Sequence, residues 1–291
     1  AIGSAQLLLD RGHRLDWFYS FEISAELFMC LIAVLFFIYN TMYSKNPLFE
    51  RNIFGDWNFT VGLFTMLLMG ALSFTPITLF PMLLQDLRGY PDATAGLLLS
   101  ARGFGNLASF FIVVQFTKFN AKMALITGMA LQIWAGWAMS NLNINMTEFD
   151  VLWTNFVQGF GFGLAYTPMT VLAFATLSSR LTVQGSALFN MMRNFGSSLF
   201  LSLSILILLR SSAENYAGLS QIVNPMNQAF NDPQISQHWN ASSIESLAKI
   251  SEEITIQSFM GGYLNAFQLY TWVGVAALIL SVIYRSNHTK I

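Results

Sequence analysis

Two arginines, Arg102 and Arg193, stand inside long apolar stretches of this chain. A guanidinium keeps its charge at any physiological pH. At the centre of a membrane helix it costs at least ~2.5 kcal/mol on insertion scales. It therefore faces the interior of a bundle or a water-filled cavity, or snorkels to the interface. Each arginine lies about two helical turns into its stretch, so snorkelling is not the easy solution. Two roles stay open: pinning neighbouring helices through backbone carbonyls, or lining and gating a transport path.

The surroundings of both arginines are small and polar. Gly103, Gly105 and Asn106 follow Arg102, and Asn190, Asn194, Gly196, Ser197 and Ser198 flank Arg193. Small residues let helices approach closely, and amides bond across helices. These are packing faces first and candidate cavity walls second. Arg193 is expected to line the interhelical cavity rather than to face lipid. The densest glycine run, Gln158-Gly159-Phe160-Gly161-Phe162-Gly163-Leu164-Ala165-Tyr166-Thr167-Pro168, lies in mid-stretch with no strand before it and no lysine after it, so it is not a nucleotide loop. Gly159 and Gly163 permit a close crossing, and Pro168 is placed to kink the helix. Gln158 and Tyr166, eight apart, share a face and are candidates for substrate contact. Thr75, Pro76 and Pro81 predict another bent or broken span.

Other chemistry is missing from the pattern. The apolar stretches hold no Asp or Glu near their middles; Glu22 and Glu26 stand at the end of the first. A proton-driven carrier normally needs an intramembrane carboxylate or His, and such a group is expected upstream of this sequence. His13, His238 and His288 fall in connectors or termini. Cys30, the single cysteine, reads as a buried inert thiol. No nucleophile–base pair or metal-ligand spacing is visible, so neither catalysis nor a cofactor is expected.

The elements that must position these groups follow from the charges. The chain has 291 residues, 54% hydrophobic and 10% charged, against about 25% charged in soluble domains. A net charge of −1 gives no reason to expect nucleic acid. No Asp, Glu, Lys or Arg occurs between Asp56 and Asp86, Lys122 and Glu148, Asp150 and Arg180, or Glu253 and Arg285. Roughly 20 apolar residues cross the ~30 Å hydrocarbon core, and each window is long enough. The fold class is therefore all-α, a polytopic membrane helix bundle. Seven complete spans are predicted, at 23–43, 58–84, 94–116, 122–141, 151–177, 185–209 and 262–284. The apolar stub Ala1–Leu9 reads as the exit end of an earlier span, not as a signal peptide.

Short basic connectors orient the bundle. Lys45 and Arg51, Lys118 and Lys122, Arg180, then Arg285 and Lys290 occupy alternate loops, which are read as cytoplasmic. The carboxyl terminus is thus predicted inside and the amino-terminal stub outside. Residues from about 210 to 258 are predicted as an outer loop, turn-rich at Asn224-Pro225 and Asn231-Asp232-Pro233. Its second half reads as a helix capped by Asn240 or Ser242, with Ile244, Leu247, Ile250 and Ile254 on one face. It is either a surface helix over the mouth of the bundle or a docking surface for an extracytoplasmic partner.

Taken in order, these segments resemble the EmrB/QacA-type drug:proton antiporters, the fourteen-span branch of the major facilitator superfamily. The run from Leu9 to Phe18 is similar to that family's loop after the seventh span. Asn46-Pro47-Leu48-Phe49 with Asn58-Phe59 is similar to its link into the C-terminal six-helix bundle. Leu84-Gln85 through Gly89-Tyr90 to Ala95-Gly96-Leu97 is similar to the next hairpin and adds Gln85 to the cavity or gating candidates. Arg102 to Gly105, Gln158 to Pro168, Phe189 to Gly196 and the long outer loop follow at family spacing. One departure is the loop Gln115 to Lys122, which in the family is rich in Gly and Arg and here carries two lysines.

The resemblance implies two segments. Residues 1–57 would be the end of one linker span, an outer loop, a second linker span and a cytoplasmic link; 58–291 would be the C-terminal six-helix bundle. It implies a bacterial inner-membrane exporter of lipophilic drugs or toxic small molecules, exchanging them for protons by alternating access between two halves. It implies pairing with a periplasmic adaptor and an outer-membrane channel. Aromatics such as Trp134, Trp153 and Tyr166 would suit bulky substrates, or simply pack. Competing readings are a complete seven-span receptor, an exporter of an endogenous small molecule and a membrane enzyme. Against the receptor, the last span has no Lys for a Schiff base.

Overall fold

In the computed structural model, residues 3–4, 7–8, 11, 20–43, 49–223 and 244–285 are described, and every regular element among them is helical. We label the long helices α1 (Phe21–Tyr43), α2 (Trp57–Met82), α3 (Asp92–Ser140), α4 (Glu148–Phe174), α5 (Thr182–Ile222) and α6 (Ile244–Ile283). Most of the run from Leu9 to Phe18, the link residues Asn46 to Leu48, the turn-rich part of the outer loop with its cap candidates Asn240 and Ser242, and all three histidines lie outside the described residues.

Helices α1, α2, α3, α5 and α6 are long and apolar enough to cross a membrane. The chain is a multi-pass membrane protein. Helix α3 supplies two of the predicted spans, because it breaks at Asn120, where φ −159° and ψ 100° leave the helical region. The Asn120 side chain accepts the Met123 N–H at 3.0 Å and so caps the second arm. Helix α4 is long enough to span but less apolar, owing to its glycines and its buried Thr154, Asn155 and Gln158.

Helices α2 and α4 begin at residues that cap them. Asp56 accepts the Phe59 N–H at 2.9 Å at the start of α2 and also holds the Thr176 hydroxyl at 2.7 Å. Thr147 and Asp150 form a reciprocal capping box at the start of α4. Helix α2 runs through both Pro76 and Pro81 and then widens into π-helical turns at Leu83–Leu87. Gly89, at φ +63°, closes that end with its N–H on the Gln85 carbonyl. At the opposite end, carbonyls of the closing turn of α6 are held from elsewhere. Asn58 donates to the Arg285 carbonyl at 3.1 Å, Lys122 to Tyr284 at 2.9 Å and the Trp57 indole to Ile283 at 3.4 Å.

The outer loop differs from its prediction. Helix α5 does not stop near residue 209 but continues to Ile222, since Ser211 to Gln221 contains no proline and several good helix formers. The second half of the loop is helical, yet it is no separate surface helix: it runs unbroken into the last span as α6. A helix of 40 residues is ~60 Å long, twice the hydrocarbon thickness. The two helices pair along this extension, with Tyr216 and Ser251 hydroxyls 3.3 Å apart and Asn265 donating to Ser211. On its exposed face, Lys249 donates to Glu245 and holds that carboxyl below the usual carboxylate range.

Two apolar clusters form the core. One gathers Phe59, Met66, Met69, Leu72, Met129, Met169, Phe189 and Tyr270; the other Leu79, Phe80, Leu84, Met139, Val151, Leu208, Tyr263 and Phe267. Between them in α2, α3 and α4 lie Ser73, Gln132, Gln158 and Gly159. A polar layer therefore divides the core at mid-depth.

Candidate functional site

Glycines draw α4 against both arms of α3. A side chain at Gly159 would collide with the Arg102 carbonyl, and one at Gly105 with the carbonyl of Phe156. On the other flank of α2, Gly70 lies against the Arg193 carbonyl and Gly196 against that of Leu67. Backbones this close make good dispersion contact where lipid offers no hydrophobic drive. Helix α2 is thus clasped between Arg102 on one side and the backbone of Arg193 on the other.

Proline chemistry explains the centre of the polar layer. Pro76 has no N–H, so it cannot bond the carbonyl four residues back, at Leu72. An unpaired carbonyl in hydrocarbon costs several kcal/mol. Gln158 fills the gap: its Nε2 donates to the Leu72 oxygen at 3.0 Å. Gln132 Nε2 in turn donates to the Gln158 carbonyl at 2.5 Å, and the Gln132 Oε1 accepts from the Tyr270 hydroxyl and, at 3.4 Å, from Gln158. Gln132 and Gln158 are fully buried and Tyr270 nearly so. The set ties α2, the second arm of α3, α4 and α6 together.

Beside this layer, α2, the first arm of α3 and α4 line a half-open cavity of about 460 Å³. Ser73, Ser100, Arg102, Asn106 and Asn155 give it polar walls, and Ile77, Leu99 and Phe162 apolar ones. Arg102 Nη2 donates to the Ser73 carbonyl at 2.6 Å, while its Nη1 is buried with no acceptor among the described residues.

The other candidates fall elsewhere. Gly103 differs from its expected packing role: nothing lies within 4 Å of a side chain there, because it lines the cavity. Gln85 is outside the cavity, exposed in the π-helical end of α2. Tyr166 is half-buried and stacks on Phe162 with ring centroids 5.7 Å apart, one turn from the cavity. Asn190 and Asn194 are exposed on α5, and the Asn190 amide donates to its own helix at Ser186, 3.0 Å away. Arg193 is half-buried with an unpartnered Nε and is not part of the Arg102 cavity wall. Pro168 is buried inside a helix that runs on to Phe174. Trp134 and Trp153 pair with each other at 5.6 Å.

Gln132, Tyr270 and Ser73 escaped the sequence reading. Two signals pointed to them: Gln132 is the amide in the middle of an apolar window, and Pro76 implies that Leu72 needs a donor.

Comparison with known proteins narrows the assignment. The multidrug export protein EmrB of Escherichia coli K12 is 29% identical over 228 residues, 78% of this chain and 44% of that protein. EmrB of Haemophilus influenzae is 26% identical over 274 residues, 92% of this chain and 53% of the relative. Over most of its length the chain is similar to EmrB-like multidrug transporters. A further relative, the fatty acid resistance protein FarB of Neisseria gonorrhoeae, is 26% identical over 90% of this chain. No protein-family model matches. This EmrB-like chain spans about half the length of the curated relatives it matches.

Proposed function

We propose that this chain is the C-terminal part of a secondary active exporter of lipophilic drugs or other toxic small molecules. Its six-helix bundle, 58–291, would work against a second bundle by alternating access, with protons as the exchanged ion and the site between the halves. The observation that carries this reading is the cavity at mid-depth, polar and apolar by turns and walled by a charged side chain that lipid would exclude. The names of the relatives, for multidrug export and fatty acid resistance, support lipophilic small molecules as the cargo. The relatives are named as exporters and resistance proteins, in keeping with carrier rather than enzymatic work.

In this reading Arg102, Asn106 and Asn155 line the substrate path, with Asn190, Arg193, Asn194, Tyr166 and Gln85 along its wider walls or gates. The helices lie in the bacterial inner membrane with the carboxyl terminus in the cytoplasm, as the basic connectors favour. The paired extension of α5 and α6 would stand in the periplasm and offers a surface to an adaptor leading to an outer-membrane channel. Efflux of a panel of lipophilic compounds by the full-length protein in energised vesicles tests the proposal. Export that stops when the proton gradient is collapsed is expected; accumulation indifferent to the gradient would overturn it.

A further inference from the structure

We propose that the groove between the second arm of α3 and α6 holds a phospholipid whose head is a primary ammonium. The groove measures about 380 Å³ and shares no residue with the Arg102 cavity. Gly136 lies against Tyr270 and Gly274 against Ile133, so the two helices touch closely at this crossing. At the α6 terminus, Lys122 of α3 holds the Tyr284 carbonyl. Asn141 stands 19 residues beyond Lys122, and Asn265 stands 19 before Tyr284, ~28 Å of helix in each case. The hydrocarbon is ~30 Å thick, so both amides reach the opposite membrane interface. Trp137 and Trp272, 58% and 64% exposed, offer aromatic surface beside them.

The polar walls direct their donors into the protein itself. The Ser140 hydroxyl and the Asn141 amide both donate to the Trp137 carbonyl, at 2.8 and 2.6 Å. The Thr271 hydroxyl donates to the Phe267 carbonyl at 3.0 Å, and the Asn265 amide to Ser211. Oxygen acceptors are therefore in surplus along the groove, and no charged side chain lines it among the described residues. An ammonium supplies three N–H donors and is attracted by the flanking indoles. One turn deeper than Asn265, Gln268 is exposed and has no hydrogen-bond partner among the described residues. A partnerless amide at the edge of hydrocarbon is costly, and its N–H groups suit the phosphate and ester oxygens that follow the ammonium in such a lipid. Val275, two turns deeper again, meets the acyl chain. A trimethylammonium head keeps the charge but has no N–H to donate, and an anionic head meets the surplus acceptors.

Native mass spectrometry of the full-length protein tests this, with the protein freed of lipid in detergent and titrated with phosphatidylethanolamine, phosphatidylcholine or phosphatidylglycerol of identical chains. Wild type is expected to retain one phosphatidylethanolamine about tenfold more tightly than either other lipid. Asn265→Leu removes an acceptor and should weaken phosphatidylethanolamine toward the level of phosphatidylcholine, whose own retention stays unchanged. Should that variant not fold, Gln268→Lys adds a cation at an exposed position without a described partner; phosphatidylethanolamine then falls about tenfold and phosphatidylglycerol rises above it. Equal retention of the three lipids by wild type overturns the proposal. So does phosphatidylethanolamine binding untouched by Asn265→Leu or, where that variant does not fold, by Gln268→Lys. A dimer that retains no lipid would give the groove to a second copy of this chain and overturn the proposal as well. Binding is read without transport, so its failure leaves the export reading untouched.

Discussion

Helix α1 and helix α4 invert the rule of soluble cores. Helix α1 is the more apolar, with mean hydropathy 2.2, yet it buries 6% of its apolar stretch, and Ile23 is its one buried residue among those described. Helix α4 carries glycines and amides and buries Asn155, Gln158, Gly159, Gly161 and Gly163. In water the apolar helix would be the core. In lipid, apolar surface gains nothing by leaving its solvent, so close backbones and polar bonds decide which helix goes inside. Phe28, Leu35 and Phe36 of α1 are accordingly exposed, and Gln158 of α4 is not exposed at all.

Substitutions that break this contrast follow in order of size. Gly159→Leu drives a side chain into the Arg102 carbonyl; overpacking of this kind costs about 3 kcal/mol or more, and folded yield in membranes is expected to collapse. As the control to that change, outside the ordering, Leu35→Ala in α1 should leave yield and melting temperature nearly unchanged, within about 0.5 kcal/mol. Gln158→Leu removes the donor to Leu72 and should lower stability by about 1–3 kcal/mol. Adding Pro76→Ala restores a backbone N–H for that carbonyl, so thermal melts of the double variant should regain part of the loss; additive losses would show that proline and glutamine are unconnected. Thr147→Ala, which opens the capping box of α4, is expected to cost about 1 kcal/mol. Tyr270→Phe deletes one bond to Gln132 and should cost about 0.6 kcal/mol, the average for an interhelical bond in a membrane.

The spans were legible because charge is excluded from hydrocarbon: the windows free of charge coincide with α2, α4, α6 and the second arm of α3. The break at Asn120 fell inside the connector read between Gln115 and Lys122, where a polar side chain can cap a new helix. The outer end of α5 was not legible, because residues 210–222 are polar and charge leaves helix and loop alike outside the bilayer; that of α6 was legible as a helix from Ile244, Leu247, Ile250 and Ile254, but not its unbroken run into the last span. In the site, Arg102 and Gln158 were conspicuous as polar groups at depth. Gln132 and Tyr270 were less so, since an amide and a phenol in a span are individually ordinary and only their chain of bonds, from the Tyr270 hydroxyl to the Gln132 side-chain oxygen and from Gln132 Nε2 to the Gln158 carbonyl, marks them. Gly103 was misread because a glycine has the same letter whether it admits a neighbouring helix or a cavity.

The account turns on the claim that the Arg102 wall meets water while α1 meets lipid. Cysteine labelling tests it directly, in full-length protein with Cys30 replaced by Ser. Gly103→Cys, where the side chain has open space, and Phe36→Cys, exposed on α1, would be treated with a charged, membrane-impermeant maleimide. A thiol reacts as the thiolate, which needs water. Rapid labelling at residue 103, slowed by an exported compound, with residue 36 unreactive, is the predicted result. Equal labelling of both positions, or an unreactive residue 103 beside a reactive residue 36, would contradict it.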